Sequence, residues 1–278
     1  MKIAVLSGKG GTGKTFVSVN LACAAEKAVY VDCDVEEPNG HLFLKPEIVN
    51  STPVKVMNPL FLADKCSGCK KCVEFCKFNA LAYVLNQLMI FPEVCHSCEG
   101  CVLLCPTGAL VKSERAIGMV EEGRSGKVIT LSGCLNTGEV SGVPVIETLM
   151  EKLPDEGIVI IDCPPGSACT VMESIRNADY CLMIAEPTLF GVHNLSMVYD
   201  LVKLFKKPFG AVLNKCIPGD NPAENFCVEN HIPVLCRIPF STDLGNLNSQ
   251  GRIAVRENEQ YRVIFQNLLD KIIKGAVT

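Results

Sequence analysis

With 278 residues, 48% hydrophobic and 20% charged, the chain can fill one large or two smaller globular cores and lacks the composition of a disordered protein. Its formal net charge of −4 argues against a chain built to coat nucleic acid, and Lys70-Lys71 and Lys206-Lys207 read as solvated surface. No apolar run is long enough to span a bilayer and the N-terminus lacks a signal-peptide pattern, so a cytoplasmic protein is expected. In chain order, Ile3–Leu6 reads as a short buried strand, followed by a glycine-rich turn. Lys14–Glu26 has helical spacing, with Val17, Leu21 and Ala24 on one face. Val29–Val31 is the next strand and runs into Asp32-Cys33-Asp34. From about Asn58 to Ser113 the rhythm breaks: the segment is cysteine-rich and repeats with a period of 29 residues. Alternation then resumes, with strands at Val128–Leu131, Ile158–Ile161, Tyr180–Ala185, Gly210–Leu213 and Val234–Ile238. Helical stretches cover 143–153, 170–177, 191–205, 222–230 and 258–274. Buried strands with helices between them predict an α/β fold with a doubly wound, mostly parallel sheet. The break predicts a small inserted domain at 58–113, which makes the host domain discontinuous, 1–57 plus 114–278.

The turn Gly8-Lys9-Gly10-Gly11-Thr12-Gly13-Lys14-Thr15 matches G-x₄-G-K-T. Glycines there let backbone amides converge on a phosphate, and the following helix adds the positive end of its dipole. Lys14 reaches phosphate oxygens and the Thr15 hydroxyl ligates Mg²⁺. A chance glycine-rich turn is the alternative; the strand before and the helix after weigh against it.

The cysteines carry a second chemistry. Of seventeen, eight fall in two C-x₂-C-x₂-C-x₃-C runs: Cys66, Cys69, Cys72, Cys76 and Cys95, Cys98, Cys101, Cys105. Three thiolates of such a run hold three corners of a [4Fe–4S] cluster, and the fourth cysteine serves the other cluster. That assigns Cys66, Cys69, Cys72 and Cys105 to one cluster, and Cys95, Cys98, Cys101 and Cys76 to the other. Zinc is the alternative, and two runs of four at this spacing disfavour it. The insert is therefore expected to be an α+β, ferredoxin-like electron relay. It departs from bacterial ferredoxins in one place, where Lys77 follows Cys76; Pro106 follows Cys105 as in them. Most of the remaining nine cysteines read as inert thiols.

Lys9 and Lys14 in this loop resemble the signature and phosphate-binding lysines of the deviant Walker A ATPases, the MinD/ParA group. The resemblance covers about 220 residues, all but the insert. It implies ATP and Mg²⁺ as ligands, a homodimer formed on ATP binding, and contacts from Lys9 to the phosphates across that dimer. Val31-Asp32-Cys33-Asp34 resembles switch I, which implies that Asp34 positions the attacking water and that Asp32 lies near Mg²⁺. Asp162-Cys163-Pro164-Pro165-Gly166 resembles the Walker B end and switch II, which places Asp162 near the metal; Asn214 is similar to the adenine-reading asparagine. The label "cobyrinic acid a,c-diamide synthase-like" often given to such chains follows the shared fold, not a site. Cys134 and Cys169, at 28 residues before and 7 after Asp162, lie in small-residue segments read as loops. Their intervals resemble those of the cluster ligands in the nitrogenase iron protein, which implies a third [4Fe–4S] bridging the dimer; two unrelated thiols are the alternative.

The expected function is an Mg·ATP-driven dimer that gates electron delivery to an acceptor protein. An iron–sulfur carrier or assembly ATPase, and a MinD-like scaffolding switch with redox-sensing clusters, are the alternatives. The C-terminal stretch Gln260–Ile273 reads as a helix packed on the sheet rather than a membrane anchor. His41, His96, His193 and His231 share no spacing.

Overall fold

The computed structural model describes every residue except 26, 220, 277 and 278. The N-terminal half begins β1 (Lys2–Leu6), α1 (Lys14–Ala24), β2 (Ala28–Asp32), α2 (Gly40–Leu44) and β3 (Glu47–Phe61). It continues with α3 (Lys71–Phe75), β4 (Leu81–Val84), β5 (Gln87–Ile90) and α4 (Gly100–Leu103). Then come β6 (Leu110–Ser125), β7 (Val128–Leu135), α5 (Val143–Glu151), β8 (Ile158–Asp162), α6 (Cys169–Ile175) and β9 (Tyr180–Ala185). The chain closes with α7 (Leu189–Leu204), β10 (Phe209–Cys216), α8 (Pro222–Glu229), β11 (Val234–Pro239), α9 (Thr242–Ser249), α10 (Ala254–Glu257) and α11 (Glu259–Gly275). The helix expected over Lys14–Glu26 ends at Ala24, and Glu26 itself lies outside the described residues.

Nine strands form one sheet in the order β11-β10-β9-β1-β8-β2-β7-β6-β3. The run from β11 to β7 is parallel throughout, while β6 pairs antiparallel with both β7 and β3. Alternate residues of each central strand serve opposite faces. Ala4 and Leu6 of β1 enter a core with α5, α6, α7 and α8; Ile3 and Val5 enter a second core with α1, α9, α10 and α11. Burial on both faces is why these strands read as continuous apolar runs. In α11 the buried residues are Phe265, Leu268, Leu269 and Ile272, so its apolar stripe packs on the second core, with Val263 left exposed. Among the described residues no helix is long and apolar enough to cross a membrane.

The long antiparallel pair β3–β6 is a correction to the expected rhythm. Its strands were not read from the sequence because most of β3 is exposed or half-buried and carries no apolar run. Asn58 and Ser113 face each other within this pair, and Phe61 faces Leu110 at its far end. Residues 62–109 sit beyond that end and repeat their own backbone. A 3₁₀ turn at Ala63–Lys65 and α3 are matched by Pro92–Val94 and α4, and left-handed residues precede both helices (Lys70 φ 58°, Glu99 φ 62°). A small core of Leu81, Leu88, Cys101 and Leu110 holds this unit together.

Candidate functional site

The ends of three parallel strands set the first site. Val5 of β1 and Asp32 of β2 both register with Asp162 at the end of β8. The turn 8–13 crosses this edge and delivers Lys14 and Thr15 as the first two residues of α1. Two glycines are required by close approach. A Cβ on Gly8 would lie 2.2 Å from the Asn194 carbonyl oxygen of α7. Gly13 has φ 93°, and its Cβ would meet the Asn214 amide at 2.2 Å. Gly10, Gly11 and Thr15 line a cavity of about 650 Å³ together with Lys9, Lys14, Asp34 and Pro164. Thr12 is buried, and its carbonyl accepts a hydrogen bond of 2.7 Å from Asn214 Nδ2. Asn214 also lines a neighbouring cavity of about 170 Å³ with Phe16, Pro239, Phe240 and Leu244, together with Lys215, Ser241 and Asn248.

The buried charges are unbalanced. Lys14 Nζ lies 3.0 Å from Asp162 Oδ1 and 3.7 Å from Asp34 Oδ2. Tyr30 donates its hydroxyl to Asp162 Oδ2 at 2.9 Å, and Asp32 accepts from the Gly40 and Asp34 amides at 2.8 and 3.2 Å. Burial works against the Lys14 charge, but the Asp162 and Asp34 carboxylates outweigh it and hold the ammonium above its ordinary pKa. Burial first, and the Asp162 carboxylate second, push Asp32 up to about 7. Three carboxylates share one buried lysine, so the donor set of Thr15, Asp32 and Asp162 fits a hard divalent cation.

Lys9 is held within its own chain. Its ammonium pairs with Glu186 at 2.8 Å and sits 4.9 Å over the Phe190 ring. Lys215 pairs with the same Glu186 at 2.7 Å and donates to the Gly11 carbonyl at 2.8 Å. Glu186, Lys215 and Tyr30 were missed in the sequence; Tyr30 lies on β2, Glu186 just past β9 and Lys215 in β10, with no local motif to mark them.

The eight run cysteines gather in two crossed sets. Cys66, Cys69, Cys72 and Cys105 line a cavity of about 20 Å³ with Phe61, Tyr83 and Leu88. Cys76, Cys95, Cys98 and Cys101 line another of about 240 Å³ with Met57, Pro59, Phe75, Phe78 and His96. Backbone N–H groups of Gly68, Ala80 and Ala109 donate to the sulfurs of Cys66, Cys76 and Cys105 at 3.4, 3.3 and 3.2 Å. Burial, followed by the neighbouring Cys95 and Cys98 sulfurs, pushes the Cys101 thiol up to about 11. Among the described residues no three His, Cys, Asp or Glu side chains converge tightly enough to hold a single metal ion. Four thiols line each cavity, and this all-sulfur donor set with N–H···S support fits an iron–sulfur cluster. His96 stacks on Phe78 with ring centroids 3.8 Å apart. His41 lies in α2.

One side chain joins the two regions. Arg115 of β6 pairs with Glu139, in the loop after β7, and donates to the Pro92 carbonyl at 3.0 Å, three residues before Cys95. Its Nε is buried with no partner among the described residues. The strand before that loop, β7, is tied at its last residue to the segment after β2, where the Leu135 amide donates to the Val35 carbonyl at 2.8 Å.

Cys134 and Cys169 do not lie in loops as expected. Cys134 stands near the end of β7 because that strand continues four residues past Leu131, and Cys169 is the first residue of α6. Both are exposed, whereas Cys33, Cys163, Cys181 and Cys227 are buried.

Comparisons with known proteins bear on the fold and the family. A model of the CobQ/CobB/MinD/ParA nucleotide binding domain family matches residues 3–255. An uncharacterized protein of Methanocaldococcus jannaschii is 29% identical over 277 residues, covering 98% of this chain and 96% of its own. The septum site-determining protein MinD of Pyrococcus horikoshii, solved with Mg-ADP, shares the fold with a TM-score of 0.60 at 20% identity, over 98% of this chain and 95% of that one. The iron-sulfur cluster carrier protein of Pyrococcus furiosus is 38% identical over 84 residues, spanning 20% of this chain and 28% of that one.

Proposed function

Because the chain belongs to the CobQ/CobB/MinD/ParA nucleotide-binding family, we propose that it is an Mg·ATP-dependent switch that gates one-electron transfer to a partner protein. The observation that carries this reading is the continuity of one sheet from the phosphate loop to two four-thiol cavities, with Arg115 bridging them.

ATP enters the cavity with its phosphates at the 8–13 turn and its base against Asn214 and Phe240. The phosphates draw Lys14 away from Asp162, freeing that carboxylate. Thr15, Asp32 and Asp162 would hold Mg²⁺, which neutralises phosphate charge. Asp34, released from Lys14, orients the water that attacks the γ-phosphorus, and ADP and inorganic phosphate leave. Lys9 acts across a homodimer, for which it exchanges Glu186 for the phosphates of the second copy. Cys66, Cys69, Cys72 and Cys105 would hold one [4Fe–4S] cluster, and Cys76, Cys95, Cys98 and Cys101 a second. Such clusters supply reversible one-electron chemistry. Movement at the Val35–Leu135 hydrogen bond reaches the second cavity through Glu139 and Arg115.

The test is an anaerobic redox titration monitored by EPR, with and without Mg·ATP. A nucleotide-dependent shift in potential or signal is expected. Two cluster signals indifferent to Mg·ATP would remove the gating.

A second reading, an iron–sulfur cluster carrier, is favoured by the exposed Cys134 and Cys169 at the nucleotide edge and by the short similarity to the Pyrococcus furiosus carrier. In it, these thiols from two copies hold a bridging cluster as cargo. The reading expects the Cys134→Ser, Cys169→Ser variant to carry less iron per dimer and to stop passing iron to an apo-acceptor.

A further inference from the structure

The turn between β4 and β5 holds an expensive residue. Leu85 and Asn86 both have left-handed backbones, φ 49° and 62°, as a two-residue hairpin turn demands. Asn86 suits that conformation; Leu85 does not, since an apolar L-residue rarely adopts it. Leu85 is also 94% exposed, and Val84 beside it is 49% exposed. The fold gains neither backbone ease nor burial from this leucine, and a strained backbone at an exposed position points to a contact outside the chain.

Its surroundings point to the contact. Tyr83, two residues before Leu85, lines the cavity of Cys66, Cys69, Cys72 and Cys105, and Lys70 Nζ lies 5.5 Å over its ring. Both charged residues on the wall of that cavity, Lys70 and Lys71, are basic. Lys65 is exposed just before Cys66, and none of the three lysines makes an ion pair among the described residues. The lysines nearer the sheet differ, since Lys55 pairs with Glu114 and Lys112 with Glu99. The wall of this cavity therefore carries two cations and no carboxylate, whereas the other cavity has Lys77 with Glu99, in a chain whose net charge is −4. The strand register makes it the outer of the two. Met57 and Pro59 of β3 line the other cavity, while Phe61, at the far end of that strand, lines this one. Cys69 is its exposed thiol.

We infer that this face, the cavity wall of Tyr83, Lys70 and Lys71 beside Cys69 with Leu85 two residues beyond Tyr83, docks a small electron-carrier protein with an apolar spot inside an acidic rim. An apolar centre with a complementary charged rim is the common anatomy of such transient interfaces. The inference rests on the proposed reading that these thiols hold a cluster. One electron crosses between carrier and cluster, and no atom is transferred.

The probe is a purified acidic flavodoxin, mixed anaerobically with the iron-loaded full-length protein. Binding is read by calorimetry, and electron transfer by the second-order rate over a salt series. Binding that weakens with salt is expected for the parent. Lys70→Gln with Lys71→Gln should lower the rate constant by about tenfold at low salt and flatten its salt dependence. Leu85→Asn should weaken binding while unfolding at an equal or higher denaturant midpoint, which separates lost contact from lost fold. Unchanged binding in both variants, or parent binding indifferent to salt, overturns the inference. So does self-association of the parent that Leu85→Asn abolishes, since the occupant is then a second copy. Iron content and EPR of the parent divide the failures: without cluster signals the functional reading falls, whereas intact clusters with unaltered docking defeat only this face.

Discussion

Lys14 concentrates the electrostatics of the nucleotide edge. Among the described residues it is the sole cation paired with Asp162 and Asp34, and it is almost wholly buried. Replacing it by methionine leaves the Asp162 carboxylate uncompensated, a loss of about 3–5 kcal/mol for a broken buried pair. Urea unfolding of Lys14→Met should show that loss together with abolished Mg·ATP binding. Adding Asp162→Asn should restore stability but not binding, because it removes the stranded charge and not the missing phosphate ligand. Gly13 offers an independent check. Gly13→Ala places a methyl at φ 93° against the Asn214 amide, so its denaturant midpoint should fall by the equivalent of about 1–2 kcal/mol from the backbone alone. Asn214→Ala in the same chain should return only the part due to the clash.

At the scale of elements, the antiparallel β3–β6 pair is our candidate for mechanical coupling. Its near end is woven into the nucleotide sheet through β7, and its far end carries the thiol cavities. Rigid strands transmit displacement only if something at each end holds them, and Arg115 does so for the inner cavity and the Glu139 loop at once. Its unpartnered buried Nε leaves the guanidinium one donor short, which makes an alternative position inexpensive. Arg115→Gln should keep the iron content of the parent yet erase the effect of Mg·ATP on the EPR-monitored potential. Glu139→Gln should act in the same direction. An Arg115→Gln protein that retains the full nucleotide effect would assign the coupling elsewhere.

Over the whole molecule, stability is unevenly distributed. Two large cores cover both faces of the sheet, whereas residues 62–109 share a core centred on Leu81, Leu88, Cys101 and Leu110. A unit with so little apolar interior depends on whatever its thiols hold. Treatment with an iron chelator should therefore open this unit to proteolysis within 62–109 while the remaining sheet keeps its Mg·ATP affinity. Mass spectrometry of the fragments checks the position of the cuts. Loss of nucleotide binding in step with loss of iron would instead mean that the sheet cannot stand without its extension.

The features legible in the sequence are those encoded within a few covalent neighbours. The G-x₄-G-K-T turn, the two cysteine runs, and the apolar strands β1, β2, β8, β9 and β10 are of this kind. Glycine backbone freedom, fixed thiol spacing and burial on both faces leave signatures that need no knowledge of the fold. The strands β3 and β6 left none, because a half-exposed antiparallel pair is defined by its partner across more than forty residues and not by its own apolar pattern. The continuation of β7 through Cys134 was hidden for the same reason, since pairing with β6 sustains it. Asp32 and Asp162 were recognisable from their motifs, but not the Tyr30 hydroxyl on Asp162, nor Glu186 and Lys215 about Lys9, nor Arg115 between Pro92 and Glu139. Each of those contacts joins side chains that only the packing of distant elements brings within hydrogen-bonding range. The kinds of chemistry were thus written locally, and their mutual wiring was decided by the tertiary structure.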